Sequence, residues 1–146
     1  MTQELVDYLQ KIVDLSNQDK FDLGVDCIKT IFGIMHDKGY SDEDIAIFIV
    51  EITKLFVSAN RECSEDEFNF FVDVTGWEEL TFDEFYEITN EGAAKEFFDY
   101  VCGKLREIGD DEVVNNAITF GALVISCDDV IEEDELDLFD AVINSL

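Results

Sequence analysis

Apolar residues recur along most of this chain at three- and four-residue spacing, the period of a helix with one face turned inward. Leu5, Tyr8, Leu9, Ile12 and Val13 set such a stripe over residues 2–15, and Ser16-Asn17-Gln18-Asp19 interrupts it as a polar break. The stripe resumes with Val25, Ile28, Ile31, Phe32 and Met35 over residues 22–37 and stops at Gly39. Ile45, Phe48, Ile49, Ile52, Phe56 and Ala59 predict a third helix over 42–59. A fourth starts after Ser64 with Phe68, Phe71 and Val72 and ends near Gly76. A fifth starts after Thr81 with Phe82, Phe85 and Ile88, punctuated by Gly92. Phe97, Val101, Leu105 and Ile108 mark a sixth over about 93–108, ended by Gly109. Asp110-Asp111-Glu112 suit the positive end of a helix dipole and open a seventh. Residues 113–126 are apolar nearly all round, which predicts a central, buried helix. Ala117, Gly121 and Ala122 would let a neighbour approach it closely. An eighth, from about 132, carries Leu136, Phe139, Val142 and Ile143.

These stripes predict an all-α fold: one domain over residues 1–146, packed as an irregular bundle of seven to eight helices. Composition agrees. Pro is absent and Gly numbers eight, whereas an all-β domain spends both on turns. A chain of 146 residues that is 47% hydrophobic, with thirteen Phe, buries a real core, unlike a disordered acidic tail. The first seven residues lack the basic and apolar regions of a signal peptide. The longest weakly polar run, 117–126, is about half the ~20 residues of a membrane span. A cytoplasmic location is the expectation. The four cysteines lie far apart with no C-x-x-C pair, which predicts reduced, mostly buried side chains.

Charge narrows the partners. Thirty-six acids against nine bases leave −27, which would repel nucleic acid and anionic membranes and attract basic proteins or cations. From Glu107 onward there is no Lys or Arg, so the field should be strongest there.

Two helix-turn-helix junctions repeat at an offset of 68 residues without a gap. One runs from Leu55 through Asn60-Arg61-Glu62-Cys63-Ser64 to Glu67-Phe68, the other from Leu123 through Asp128-Asp129-Val130-Ile131-Glu132 to Glu135-Leu136. Residues 36–45 form a weaker third copy. Ser64 with Glu67 and Thr81 with Glu84 read as capping boxes, and Ser41 with Asp44 resembles one. Helix capping therefore accounts for the acidic half of each junction. Asn60 and Asp128, in equivalent slots, suit a tight turn.

The two junctions resemble the TerB-like family of tellurite-resistance proteins, in which an Ala-Asp-Gly-x-apolar-Ser-x-x-Glu pattern occurs twice, each time after a long apolar helix. Ala59, Asn60, Cys63, Ser64 and Glu67 stand in the first copy and Cys127, Asp128, Ile131 and Glu135 in the second. The resemblance is best over 40–146. It implies a small, acidic, non-enzymatic helical protein of a stress- or metal-linked assembly, in the bacterial cytoplasm, with divalent-cation sites at the junctions. Arg61 and Asp129 replace the family's Gly, and Asn60 replaces its first Asp. An Arg beside a cation site opposes metal. Asp128, Asp129 and Glu135 are thus better candidates for Ca²⁺ or Mg²⁺ than Asn60 and Glu67.

Other chemistries fit poorly. Counting back from Glu135 or Glu67 as the last ligand of an EF-hand puts Val124 or Phe56 at its first position, where neither can bind. His36 is the one histidine and lies at a helix end, so nucleophilic catalysis has no base but this one. Phe70, Tyr86, Phe98 and Tyr100 lie off the core stripes, so they form either a second packing interface or an exposed patch. Trp77 and Tyr86 are the candidate anchors for a protein partner. The expected function is recognition of a divalent cation or a basic protein. The alternative is an acidic inhibitor of a basic toxin or nuclease, in the manner of immunity proteins or DNA mimics.

Overall fold

Ser16, Ser41, Ser64, Thr81 and Asp110 start five of the helices, and glycines in the left-handed region close several. The computed structural model describes residues 3–59, 64–90, 94–126 and 133–146. Eight helices are seen among these: α1 (Gln3–Val13), α2 (Asn17–Asp37), α3 (Asp42–Ala59), α4 (Glu65–Thr75), α5 (Phe82–Asn90), α6 (Ala94–Ile108), α7 (Asp111–Ile125) and α8 (Glu133–Ser145). Asp110 caps α7 by accepting from the amides of Glu112 and Val113. Gly76 and Gly109 take φ of +73° and +63°, which spares α4 and α6 the Cβ clash that stops other residues there. Gly92 lies outside the described residues.

One boundary differs from the apolar stripe. α2 begins at Asn17, inside the supposed polar break, because Ser16 Oγ accepts from the Asp19 amide and starts the helix. The first turn is mostly exposed, so hydrophobic spacing alone misses it.

α7 is the central element, as its all-round apolar character predicts. It packs against α2 and α3, with α1, α4 and α6 at its margins. Residues 120–125 of α7 are all buried. α3 forms the other half of the centre and receives α5, α6 and α8 as well. The α3–α7 approach is close because of one residue. A Cβ on Gly121 would lie 2.3 Å from two ring carbons of Phe56. The Phe56 ring also stacks on Phe139, with centroids 4.7 Å apart, and so ties α8 to the same point.

The repeat is physical as well as textual. α3–α4 and α7–α8 correspond at the 68-residue offset. Ser58 donates to the Leu55 carbonyl and Ser126 to the Leu123 carbonyl, both at 2.8 Å. Phe71 and Phe139 are both buried, as are Val74 and Val142. The ambiguous aromatics divide: Phe70, Phe98 and Tyr100 pack partly buried against the core, whereas Tyr86 stays exposed. Among the described residues, no helix is long and apolar enough to cross a membrane.

Gly121→Ala should destabilise the fold by about 1–3 kcal/mol, since the added methyl must displace a packed ring. Gly33→Ala, in α2 with nothing within 4 Å of the new Cβ, should be neutral or stabilising by up to ~1 kcal/mol. Urea unfolding of the pair checks the contrast. Equal stabilities would mean that the close approach contributes nothing to the fold.

Candidate functional site

The two junction glutamates occupy the same helical position and the same environment. Glu67 is the third residue of α4 and Glu135 the third of α8; they are 0% and 1% exposed. Glu67 caps its own helix. Its Oε1 accepts from the Ser64 amide at 3.0 Å, and Ser64 Oγ accepts from the Glu67 amide at 3.1 Å. Thr81 and Glu84 form the same reciprocal pair in front of α5. In the weaker third copy Ser41 Oγ accepts from the Asp44 amide, but the Asp44 side chain is exposed. The third copy therefore shares the cap and not the buried carboxylate. Asn60, Asp128 and Asp129 lie outside the described residues, as do Arg61, Cys63, Cys127 and Ile131. Among the described residues, no three His, Cys, Asp or Glu come together as a metal site.

A buried cation stands at the second junction. Lys20 is 4% exposed, and its Nζ donates to the Ser126 carbonyl at 3.1 Å. Ser126 caps the C-terminus of α7, the negative end of that helix dipole. The Lys20 amine group thus supplies a donor to a carbonyl at the end of α7, which has no partner within the helix. Lys20 also lines a cleft of about 360 Å³ with Asp66 and Asn69, so it stands between the starts of α2 and α4 and the end of α7. Sequence reasoning missed it because Lys20 falls between the polar break at 16–19 and the stripe read over 22–37. Once Ser16 is taken as the cap, Lys20 heads the buried stripe Lys20, Gly24, Cys27, Ile31, Met35.

Trp77 and Tyr86 are 42% and 51% exposed, and the structure joins them through one aromatic array. Trp77 lies 6.4 Å from Phe71, and Phe71 5.4 Å from Phe85. Phe85 meets Phe68 at 5.5 Å, Phe68 meets Phe82 at 5.7 Å, and Phe82 meets Tyr86 at 6.4 Å. The two exposed rings are therefore the ends of a cluster rooted in the core. Glu78, Glu79, Asp83, Glu84 and Glu87 surround them in sequence and are exposed, and no Lys or Arg occurs between Arg61 and Lys95.

Several bases are used up within the fold. Lys54 pairs with Glu51 at 3.1 Å and lies over the Phe97 ring. Arg106 donates to the Ser145 carbonyl. Lys104 pairs with Glu107 at 2.9 Å and sits over Tyr40 and Tyr100. The hydrogen bonds from Lys104 and Tyr40 hold the Glu107 carboxyl below its usual range. Desolvation, followed by the bond to Glu107, raises the Tyr40 hydroxyl. Lys54 and Lys104 are thereby paired with acids of their own helices, whereas Arg106 bonds a neutral carbonyl and keeps its charge at the surface. Burial also pushes the Cys27 thiol up to about 12, with Asp26 adding to the rise; Cys27 and Cys102 are free and buried, as packing residues should be.

No family model, curated protein or solved structure matches the chain.

Lys20→Met should cost about 1.5–3 kcal/mol, because it leaves a buried helix-end carbonyl without its charged donor. Lys29→Met, at an exposed position of the same helix, should change stability by less than about 0.5 kcal/mol. Denaturant melts of both variants decide it. A Lys20→Met protein as stable as the parent would make the ammonium incidental.

Proposed function

We propose that this protein is a non-enzymatic, TerB-like recognition module of the bacterial cytoplasm that binds a basic protein partner. The observation that carries the reading is the aromatic array: Trp77 and Tyr86 are exposed ends of a core-rooted cluster, set among acids with no base between Arg61 and Lys95. A field of −27 speeds the encounter with a basic surface, and the two rings prolong the contact. Both exposed side chains are residue types that anchor interfaces. An inhibitor of a basic nuclease or toxin is the alternative form of this same chemistry.

The test is capture on the immobilised protein. Basic proteins should be retained at about 0.15 M salt and released near 0.5 M, where the screening length has shortened. The variant Trp77→Ser with Tyr86→Ser keeps the net charge and should shorten the residence time of the captured protein at least about fivefold. Capture indifferent to both salt and the aromatic pair would sink the proposal. A captured nuclease that loses activity in the complex would define the inhibitor form.

Divalent-cation binding is a second reading, favoured by the matched burial of Glu67 and Glu135 in the two repeats. Its expected signature is a saturable rise in melting temperature with Ca²⁺ or Mg²⁺ beyond that given by NaCl of equal ionic strength. Asp128→Asn with Glu135→Gln should abolish the excess. Equal shifts in the parent and double variant would rule this reading out. Lys20 already supplies a positive charge beside the second junction, which places the basic-partner reading first.

A further inference from the structure

One cleft among the described residues is built by helices other than those carrying the aromatic array. It has a volume of about 640 Å³ and lies between α1, α7 and α8. Leu5, Val114, Ile118, Ile143 and Leu146 give it an apolar wall, and Glu4 also lines it. Ile143 and Leu146 are 41% and 47% exposed, so this wall faces solvent. The Tyr8 hydroxyl is hydrogen-bonded to Thr119 and ties α1 to α7 beside the cleft. The cleft is thus a feature of the packed bundle.

Its surroundings are mostly acidic, with Arg106 of α6, bound to the Ser145 carbonyl, as a base near its α8 end. α7 and α8 contain no Lys or Arg. Asp111 is exposed and lies three and seven residues before Val114 and Ile118, on the same face of α7. On α1 the bases amount to Lys11, near its far end, against Glu4 and Asp7. A second copy of the chain would bring another −27 to this surface, and an anionic lipid or acidic peptide would be repelled in the same way. An apolar trough between helices, with acids at its margins, complements an apolar stripe flanked by bases.

We propose that the α1–α7–α8 cleft is a docking groove for a basic amphipathic helix of a partner protein. Its apolar residues at i, i+3, i+4 and i+7 seat against Ile118, Ile143 and Leu146, and its Lys or Arg residues face Glu4 and Asp111. The groove rests on the charge-led recognition proposed above and adds to it a second surface, away from Trp77 and Tyr86. One partner engaging both surfaces would gain through effective concentration.

The probe is a labelled Leu/Lys peptide of about 18 residues with leucines at helical i, i+3, i+4, i+7 spacing. Its control has the same composition with the leucines scattered round the helix. Anisotropy titrations at about 0.15 M salt compare them. The patterned peptide should bind at least about tenfold more tightly than the scattered one. Ile143→Ser with Leu146→Ser should erase that preference and leave the scattered peptide's affinity unchanged. Both substituted side chains are exposed, so the melting temperature should hold. Glu4→Lys with Asp111→Lys should weaken the patterned peptide more than the charge-matched pair Asp37→Lys with Glu65→Lys.

Equal affinity for the two peptides would overturn the groove and leave the charge-led reading standing. Binding of neither would overturn both. A preference that survives Ile143→Ser with Leu146→Ser but disappears in Trp77→Ser with Tyr86→Ser would assign the peptide to the aromatic surface and overturn the groove. Sedimentation showing self-association that the Ile143 and Leu146 substitutions disperse would also overturn it, in favour of a second copy.

Discussion

The contact of the Phe56 ring with the backbone at Gly121 is the constraint on which the bundle depends. α3 and α7 can meet closely only where one of them presents no side chain, and Gly121 is that place. The same ring stacks on Phe139, so one aromatic side chain fixes the relative position of three helices. Fixing that point also fixes the repeat, because α3 and α7 lead the two corresponding halves. Helices α2, α5 and α6 then cover the flanks of a centre that is already in place. The cleft beside α1 and α8 lies along the same side of α7, nearer its start: its Val114 and Ile118 stand seven and three residues before Gly121, where Phe56 packs.

Charge imposes the second constraint. A chain at −27 repels itself, and the fold tolerates this by holding nearly all the acids among its described residues at the surface, where water screens them. The exceptions sit at equivalent places in the repeat. Glu67 is buried as a reciprocal cap, and Glu135 is buried one repeat later. Lys20 is the complementary case, a base brought inside to the negative end of α7. Lys54, Lys104 and Arg106 are likewise drawn into local contacts. The exposed acids still outnumber the exposed bases, Lys11, Lys29, Lys38, Lys95 and Arg106, so the described surface keeps a negative field.

Helix boundaries were legible because their chemistry is local. Ser64, Thr81 and Asp110 announce helix starts, and Gly39, Gly76 and Gly109 announce stops, each by a bond or dihedral within a few residues. The buried character of α7 was legible for the same reason: it shows in every turn of its own sequence. The start of α2 was not, because an exposed first turn has no apolar period to read. Lys20 was lost with it, although its spacing to Gly24 and Cys27 marks the inward stripe once Ser16 is recognised as the cap. Among the aromatics, sequence position separated core rings from doubtful ones. It could not show that Phe70 turns inward while Tyr86 turns outward, since that depends on which helix covers each flank.

The surface features were the least legible, and the cause is topological. Periodicity reports which face of a helix is apolar, but not which other helix shares its edge. The α1–α7–α8 cleft joins residues more than a hundred positions apart, so no window of sequence contains it. The aromatic array needs only α4, α5 and the turn between them, and its exposed ends were accordingly within reach of a local reading. The two surfaces nonetheless answer to one physical rule. Each sets exposed apolar groups within a field of one sign, so burial rewards any apolar ligand and charge selects among them. Neither ingredient discriminates alone: apolar exposure without charge invites aggregation, and charge without an apolar seat gives only transient encounters. In the recognition proposed above, their coincidence on a bundle joined by the Phe56–Gly121 contact is what would make a highly acidic domain selective.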